Sequence, residues 1–227
     1  MTIAVLGAGG MVGSRVVAEA GARGHRVLAL SRRPPGGKAG VTPVAVDARD
    51  PAAVREALAG SASRSAADAV VLAVRTEPVD QEFLVGVTRT LLDLTARLGI
   101  RLLVVGGAGA LRSPGDRELL VADDPVHVPP EFRSVAAAGV AQLRACRRRA
   151  GGDWVYLSPP AQLLPGARTG RYRRGTDTLL TAADGRSWIS AEDLAVAVLD
   201  ELETPGSGRH ITVVHHDGDR AVAAGLP

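Results

Sequence analysis

The sequence holds a single cysteine, Cys146, in 227 residues. That excludes an intrachain disulfide and a zinc cluster built from cysteines. The thiol shares a helical apolar pattern with Val140 and Leu143, which reads as a small core residue rather than a nucleophile. Lysine is equally scarce: Lys38 is the only one among 27 basic residues. Heavy use of Arg with Ala and Gly fits a GC-rich genome, so the arginine count alone carries no functional message. No apolar run approaches the ~18 residues of a membrane-spanning helix. The N-terminus enters a strand with neither the basic lead-in nor the cleavage site of a signal peptide. These absences predict a cytoplasmic protein with no membrane partner. An excess of one charge is lacking too. The 24 acids lie interspersed among the bases and the net charge is +3, so no one-signed face is set aside for nucleic acid.

What is present is a rhythm of short β-rich runs and longer helical stretches. Strands are expected at 2–6, 26–30, 44–46, 69–74, 101–105, 154–157 and 211–214. Helices are expected at 10–23, from Asp50-Pro51 onward, at 78–98 with a face through Phe83, Val87, Leu91, Leu94 and Leu98, at 130–150, and from Ser190 to about 203. Asp50 reads as an N-cap with Pro51 at the first helical position. Asp193, three residues after Ser190, suggests an imperfect capping box. Strand and helix in alternation mean parallel pairing through right-handed crossovers. The fold class is therefore α/β: a Rossmann-type, doubly wound, mainly parallel sheet with a small C-terminal substrate-side region. Residues 1–227 read as one domain. Two segments break the rhythm, 106–130 and 159–189, and the second alternates enough to suggest a short hairpin. Both follow strand C-termini, where open α/β sheets bind ligands.

The stretch VLGAGGMVGSR places Gly7, Gly10 and Gly13 between the first strand and the first helix. Val12 occupies the last glycine position of the G-x-G-x-x-G form, yet the physics is shared. Gly7 allows the sharp turn, Gly10 lets backbone N–H groups approach a pyrophosphate at the helix N-terminus beside Met11 and Val12, and Gly13 lets the helix lie close to the sheet. At the end of the second strand stand Ser31, Arg32 and Arg33, where an NAD site usually has an acid for the ribose hydroxyls. A guanidinium pairs with a 2′-phosphate, so NADP(H) is favoured over NAD(H); the other reading is a solvated strand end. Asp47, followed by Ala48, either reaches the adenine edge or caps the turn before Asp50. Ala73, Val74 and Arg75 are expected under the adenosine ribose and the phosphates.

These motifs resemble the atypical short-chain dehydrogenase/reductases. The likeness is to the NAD(P)H-binding NADH-flavin reductase group, related to biliverdin reductase B and more distantly to NmrA-like proteins. It rests on GAGGMVG, on VVGGAGAL at 104–111, on WVYLSPPAQLLPGARTGRYR at 154–173 and on ISAEDLAVAVLDELE at 189–203. It implies that Gly106, Gly107 and Ala108 line the nicotinamide side. It also implies that Ser158 and Pro159 contact the carboxamide or cover the ring. Ordinary members use a Tyr-x-x-x-Lys pair as proton donor. Here Tyr156 and Tyr172 are followed four residues on by Pro160 and Thr176, and Lys38 lies far away in the sequence. Phe132-Arg133 stands where related proteins commonly carry such a pair. Without that acid, hydride transfer to a small flavin or quinone-like acceptor is better served than alcohol–carbonyl interconversion, because the acceptor delocalises charge and solvent supplies the proton.

The remaining catalytic candidates are His127, in the long loop, and Arg133. Asp123-Asp124 reads as solvated or capping. His215, His216, Asp217 and Asp219 are metal ligands by type but lie in a polar tail, and no metal is expected. Arg171, Arg173 and Arg174 either clamp an anionic substrate or face water. Two other classes stay open: a dinucleotide-sensing regulator of the NmrA type that turns nothing over, and a tailoring enzyme acting on a specialised metabolite. Either a monomer or a homodimer is compatible with the sequence.

Overall fold

In a computed structural model, which describes residues 1–34, 36–61 and 64–216, five buried residues open the chain as β1 (Thr2–Leu6). The chain then alternates: α1 (Met11–Ala22), β2 (Arg26–Ser31), β3 (Val41–Ala45), α2 (Pro51–Ala59), β4 (Ala69–Leu72), α3 (Gln81–Leu98) and β5 (Arg101–Val105). After a long loop come α4 (Arg133–Arg148), β6 (Trp154–Ser158), β7 (Gln162–Leu164), β8 (Tyr172–Gly175), β9 (Trp188–Ser190), α5 (Ala191–Glu203) and β10 (His210–His215). The main sheet has the order β3-β2-β1-β4-β5-β6-β10-β8 and is parallel except for β8. This is the doubly wound Rossmann-type α/β fold. No helix among the described residues is long and apolar enough to cross a membrane.

Alternation along each strand builds two cores. Ala4, Leu6, Leu28, Leu30, Val70, Leu72, Leu102, Val104 and Tyr156 face α2, α3 and α4. Ile3, Val5, Val27, Ala29, Val71, Leu103, Val155 and Leu157 face α1 and α5. Both faces are covered, which is why the strands read as nearly continuous apolar runs. Cys146 is fully buried in the first core, and burial pushes its thiol up to about 12, so it stays protonated.

Several boundaries differ from the sequence reading. β3 begins at Val41 and contains Pro43, which an edge strand tolerates because one side needs no ladder donor. β4 stops at Leu72, so Ala73, Val74 and Arg75 leave the sheet. The buried stripe of α3 runs through Leu84, Val87, Thr88, Leu91, Leu92 and Thr95, whereas Leu98 is exposed. Two threonines sit in that stripe because their hydroxyls donate to the Leu84 and Leu91 carbonyls at 2.7 Å. The expected hairpin in 159–189 does not form. β8 pairs antiparallel with β10, and β7 pairs in parallel with β9. Alternation marks a strand without naming its partner. Ser190 caps α5 by accepting from the Asp193 N–H at 2.9 Å, but the Asp193 carboxylate does not close a capping box. It is fully buried and accepts from the Thr169 and Gly170 N–H groups, each at 2.8 Å.

Candidate functional site: a crevice at the switch point

The chain winds from β1 to β2 and β3 on one side, then crosses to β4 on the other. The C-terminal ends of β1 and β4 therefore part at a topological switch point, where open sheets bind ligands. A crevice of about 760 Å³ lies there. Its walls hold Gly7 and Gly10 from the first turn, Ser31 and Arg32 from the end of β2, Asp47 and Ala48 from beyond β3, and Ala73, Val74 and Arg75 from beyond β4. Segments as far apart in sequence as Gly7 and Arg75 thus meet in one hollow.

The glycines of the first turn divide into two kinds. Gly7 has φ +98°, and a Cβ there would fall 2.3 Å from the Ala73 carbonyl oxygen; a Cβ on Gly13 would fall 2.1 Å from the Gly7 oxygen. The chain's own packing requires these two. Gly10 and Gly9 differ: their nearest neighbours to a Cβ stand at 3.3 Å and 3.8 Å. Gly10 is also the N-cap of α1, with no side chain capping that helix end, whereas Asp50, Asp80 and Ser190 cap α2, α3 and α5. The result is an uncovered set of N–H donors at the positive end of a helix. A dinucleotide's diphosphate fits that cradle.

Polar groups around the crevice point the same way. The Ser31 hydroxyl oxygen is buried and has no hydrogen-bond partner among the described residues. Arg32 and Arg33 make no ion pair with any acid among the described residues, whereas Arg75 pairs with Glu77 at 3.0 Å. Asp47 accepts from the Arg49 N–H at 2.9 Å, so its carboxylate does cap the turn. The sequence reading missed Gly9, Arg49, Thr76, Glu77 and Phe83, all of which line the crevice. Phe83 falls on an apolar helical spacing and packs half-buried against the first core, and it also borders the hollow at the start of α3.

The residues expected beyond the adenosine half lie at the ends of β5 and β6. A Cβ at Gly106 would lie 2.0 Å from the Tyr156 ring, so that glycine answers to an internal neighbour. Gly107 has open space around it, and Ala108 packs on a small cluster of Leu111, Val121, Val128, Ala136 and Leu179. The loop after β5 is thus knitted by a core of its own. Ser158 and Pro159 are buried. The Ser158 Oγ sits 3.0 Å from His210 Nε2, a hydrogen bond inside the fold. His210 is held neutral, its pKa brought down to about 4 by burial and then by the nearby Arg147 charge, against the pull of Asp177.

Neither His127 nor Arg133 lines the crevice. Arg133 lines a separate recess with Asp124 and Val128, and Asp124 sets the position of His127. Asp124 is buried, accepts from the Ser113 hydroxyl at 2.6 Å and from the Val126 N–H at 2.9 Å, and folds the loop so that His127 Nε2 stands 4.0 Å from its carboxylate. Asp124 is therefore structural rather than solvated. Met11 is exposed at the helix start, and Val12 packs on the second core. Of the arginines near β8, Arg174 pairs with Glu201 at 2.9 Å and Arg173 donates to the Thr181 carbonyl at 2.7 Å. His215 is buried and stacks on Trp188, with ring centroids 4.1 Å apart; Asp217 and Asp219 lie outside the described residues.

Both tyrosines are committed to the fold. Tyr156 is fully buried and donates to the Gly139 carbonyl at 2.9 Å; Tyr172 donates to Asp200 at 2.6 Å. Burial pushes both phenols above their ordinary range, which suits hydrogen-bond donors and not proton shuttles.

The NAD(P)H-binding family model matches residues 7–205, from the glycine turn through α5. The chain belongs to the NAD(P)H-binding family. It is 36% identical over 207 residues to the Bacillus subtilis protein YwnB, covering 90% of this chain and 93% of that one. Among solved structures, a Burkholderia pseudomallei protein titled "putative exported protein" is 36% identical with TM-score 0.83, over 95% of this chain and 100% of that one. A Streptococcus pneumoniae protein named a "putative NADH-flavin reductase" is 27% identical with TM-score 0.80, over 95% and 99%. The anaerobilin reductase ChuY of Escherichia coli O157:H7, 20% identical with TM-score 0.68 over 95% and 97%, shares the fold.

Proposed function

We propose that the chain is an NADPH-dependent reductase that passes hydride to a flat conjugated acceptor, a flavin or quinone-like small molecule, without a tyrosine–lysine pair. The observation that carries the cofactor choice is the trio at the end of β2. The Ser31 hydroxyl, Arg32 and Arg33, none of them hydrogen-bonded or ion-paired through its side chain among the described residues, supply donors and positive charge for a 2′-phosphate. With a plain ribose hydroxyl the two charges would stay unmatched.

Bound NADPH would supply the hydride. The residues of this chain do the rest. The backbone at Gly9, Gly10 and the start of α1 holds the diphosphate; Arg32 and Arg33 hold the 2′-phosphate. Segments 106–130 and 159–189 form the substrate side of a single working unit. Of the six exposed large apolar side chains among the described residues, four (Met11, Val126, Phe132 and Leu164) come from segments that leave strand C-termini. They offer apolar contact to a planar acceptor on the edge where the cofactor binds. With both phenols committed, the acceptor takes its proton from water. That suits a flavin or quinone, whose ring spreads the incoming charge.

Steady-state oxidation of NADPH with FMN or a quinone present tests this reading. Turnover is expected. Tight binding of NADPH with no turnover of any such acceptor would overturn the enzymatic assignment and leave a dinucleotide-sensing regulator.

A further inference from the structure

Arg49 stands at the seam between two hollows. It lines the crevice and also a second recess of about 370 Å³, bounded by Ala48, Asp80, Phe83 and Val87 among others. Its guanidinium carbon lies 4.3 Å from the centroid of the Phe83 ring. Its Nη2 is 3.6 Å from the Asp80 Oδ2. These contacts act differently. The ring backs one side of the planar cation. The carboxylate, itself fixed by accepting the Phe83 N–H at 2.9 Å, draws on an edge. The main chain is pinned as well, because the Arg49 N–H donates to Asp47. Yet the side chain remains 54% exposed. A flat cation supported from behind keeps a bare surface, and such surfaces stack on π systems.

The geometry points to Arg49 as the platform on which the purine of the dinucleotide stacks, with Phe83 behind it. This rests on the reading above that the crevice takes NADPH, and it adds what recognises the base. Ser31, Arg32 and Arg33 lie at the end of β2. Arg49 lies past the end of β3, the outermost strand on that side, so it marks the far end of the crevice where the base must go if the diphosphate sits on the glycine turn. An Arg–Asp pair at the surface contributes little to stability by itself. The arrangement also lets a chain with only 3% aromatic residues build a stacking seat from one phenylalanine and one guanidinium.

The test is calorimetric titration of the full chain with NADPH and with adenosine 2′,5′-bisphosphate, in wild type, Arg49→Gln, Arg49→Lys and Phe83→Leu. Arg49→Gln and Arg49→Lys are each expected to weaken both ligands roughly tenfold. Phe83→Leu should weaken both by a smaller factor. Melting temperatures of the Arg49 variants should match wild type. Retained affinity in Arg49→Lys would show a point charge acting on phosphate and overturn the stacking role. Unchanged affinity in Arg49→Gln would overturn any role in binding. If wild type binds neither ligand, the dinucleotide reading itself falls, a result visible before any variant is made.

Discussion

The ring of Tyr156 occupies the place where a side chain at Gly106 would begin. A Cβ there would sit 2.0 Å from the phenol, while the hydroxyl reaches past it to the Gly139 carbonyl of α4. Gln142 extends this join, with its Oε1 3.3 Å from the phenol and its Nε2 donating to Thr88 of α3 at 3.0 Å. One tyrosine on β6 thus ties the loop after β5 to two helices. Gly106→Ala is expected to lower stability by about 1–3 kcal/mol through overpacking, which for a chain of this size is a fall of roughly 2–12 °C in melting temperature. Tyr156→Phe should cost about 1–3 kcal/mol by leaving buried acceptors unpaired. It should leave the pH dependence of NADPH oxidation unchanged, since the phenol takes no part in proton transfer. A changed pH profile would contradict that.

Arg32→Glu places a carboxylate where a 2′-phosphate is expected. NADPH affinity should drop about 10- to 100-fold and NADH affinity by far less. Titration with each nucleotide reads the difference directly. An unaltered preference would remove Arg32 from the site.

Gly10→Val separates cofactor binding from folding. A Cβ at this position has its nearest neighbour at 3.3 Å, so the turn accepts the side chain with a small local shift. A branched group there would project toward the diphosphate's approach. Both NADH and NADPH should weaken at least tenfold, with melting lowered by only a few degrees through the poorer N-cap. Loss of the fold instead, seen by circular dichroism, would count against this division of the glycines.

His210 makes stability fall toward acid. Its folded pKa of about 4 lies below the unfolded value near 6.5, so above pH 6.5 both states are neutral and the contribution is complete. Between pH 6.5 and 4 the unfolded chain takes up a proton that the folded chain refuses. The loss reaches roughly 3 kcal/mol by pH 4. Denaturant midpoints measured across that window should decline in wild type, and the decline should be shallower in His210→Gln. Equal slopes would mean that other groups carry the acid sensitivity.

Much of this molecule was legible in the sequence because the governing forces are local. Gly7 is needed where the chain turns at positive φ, Asp50 and Pro51 start a helix by their own geometry, and apolar alternation marks buried strands wherever they lie. The family's motifs could be read for the same reason. Partnership was not legible. Nothing near residue 172 says that β8 will lie against β10, and nothing near Arg49 says that Phe83, 34 residues on, will back its guanidinium. Nothing near Ser158 says that His210, 52 residues on, will stand 3.0 Å from its hydroxyl. Side-chain chemistry and backbone conformation are written residue by residue. Which groups meet, and which are left unpaired to face a ligand, is decided only when distant segments compete for the same buried space.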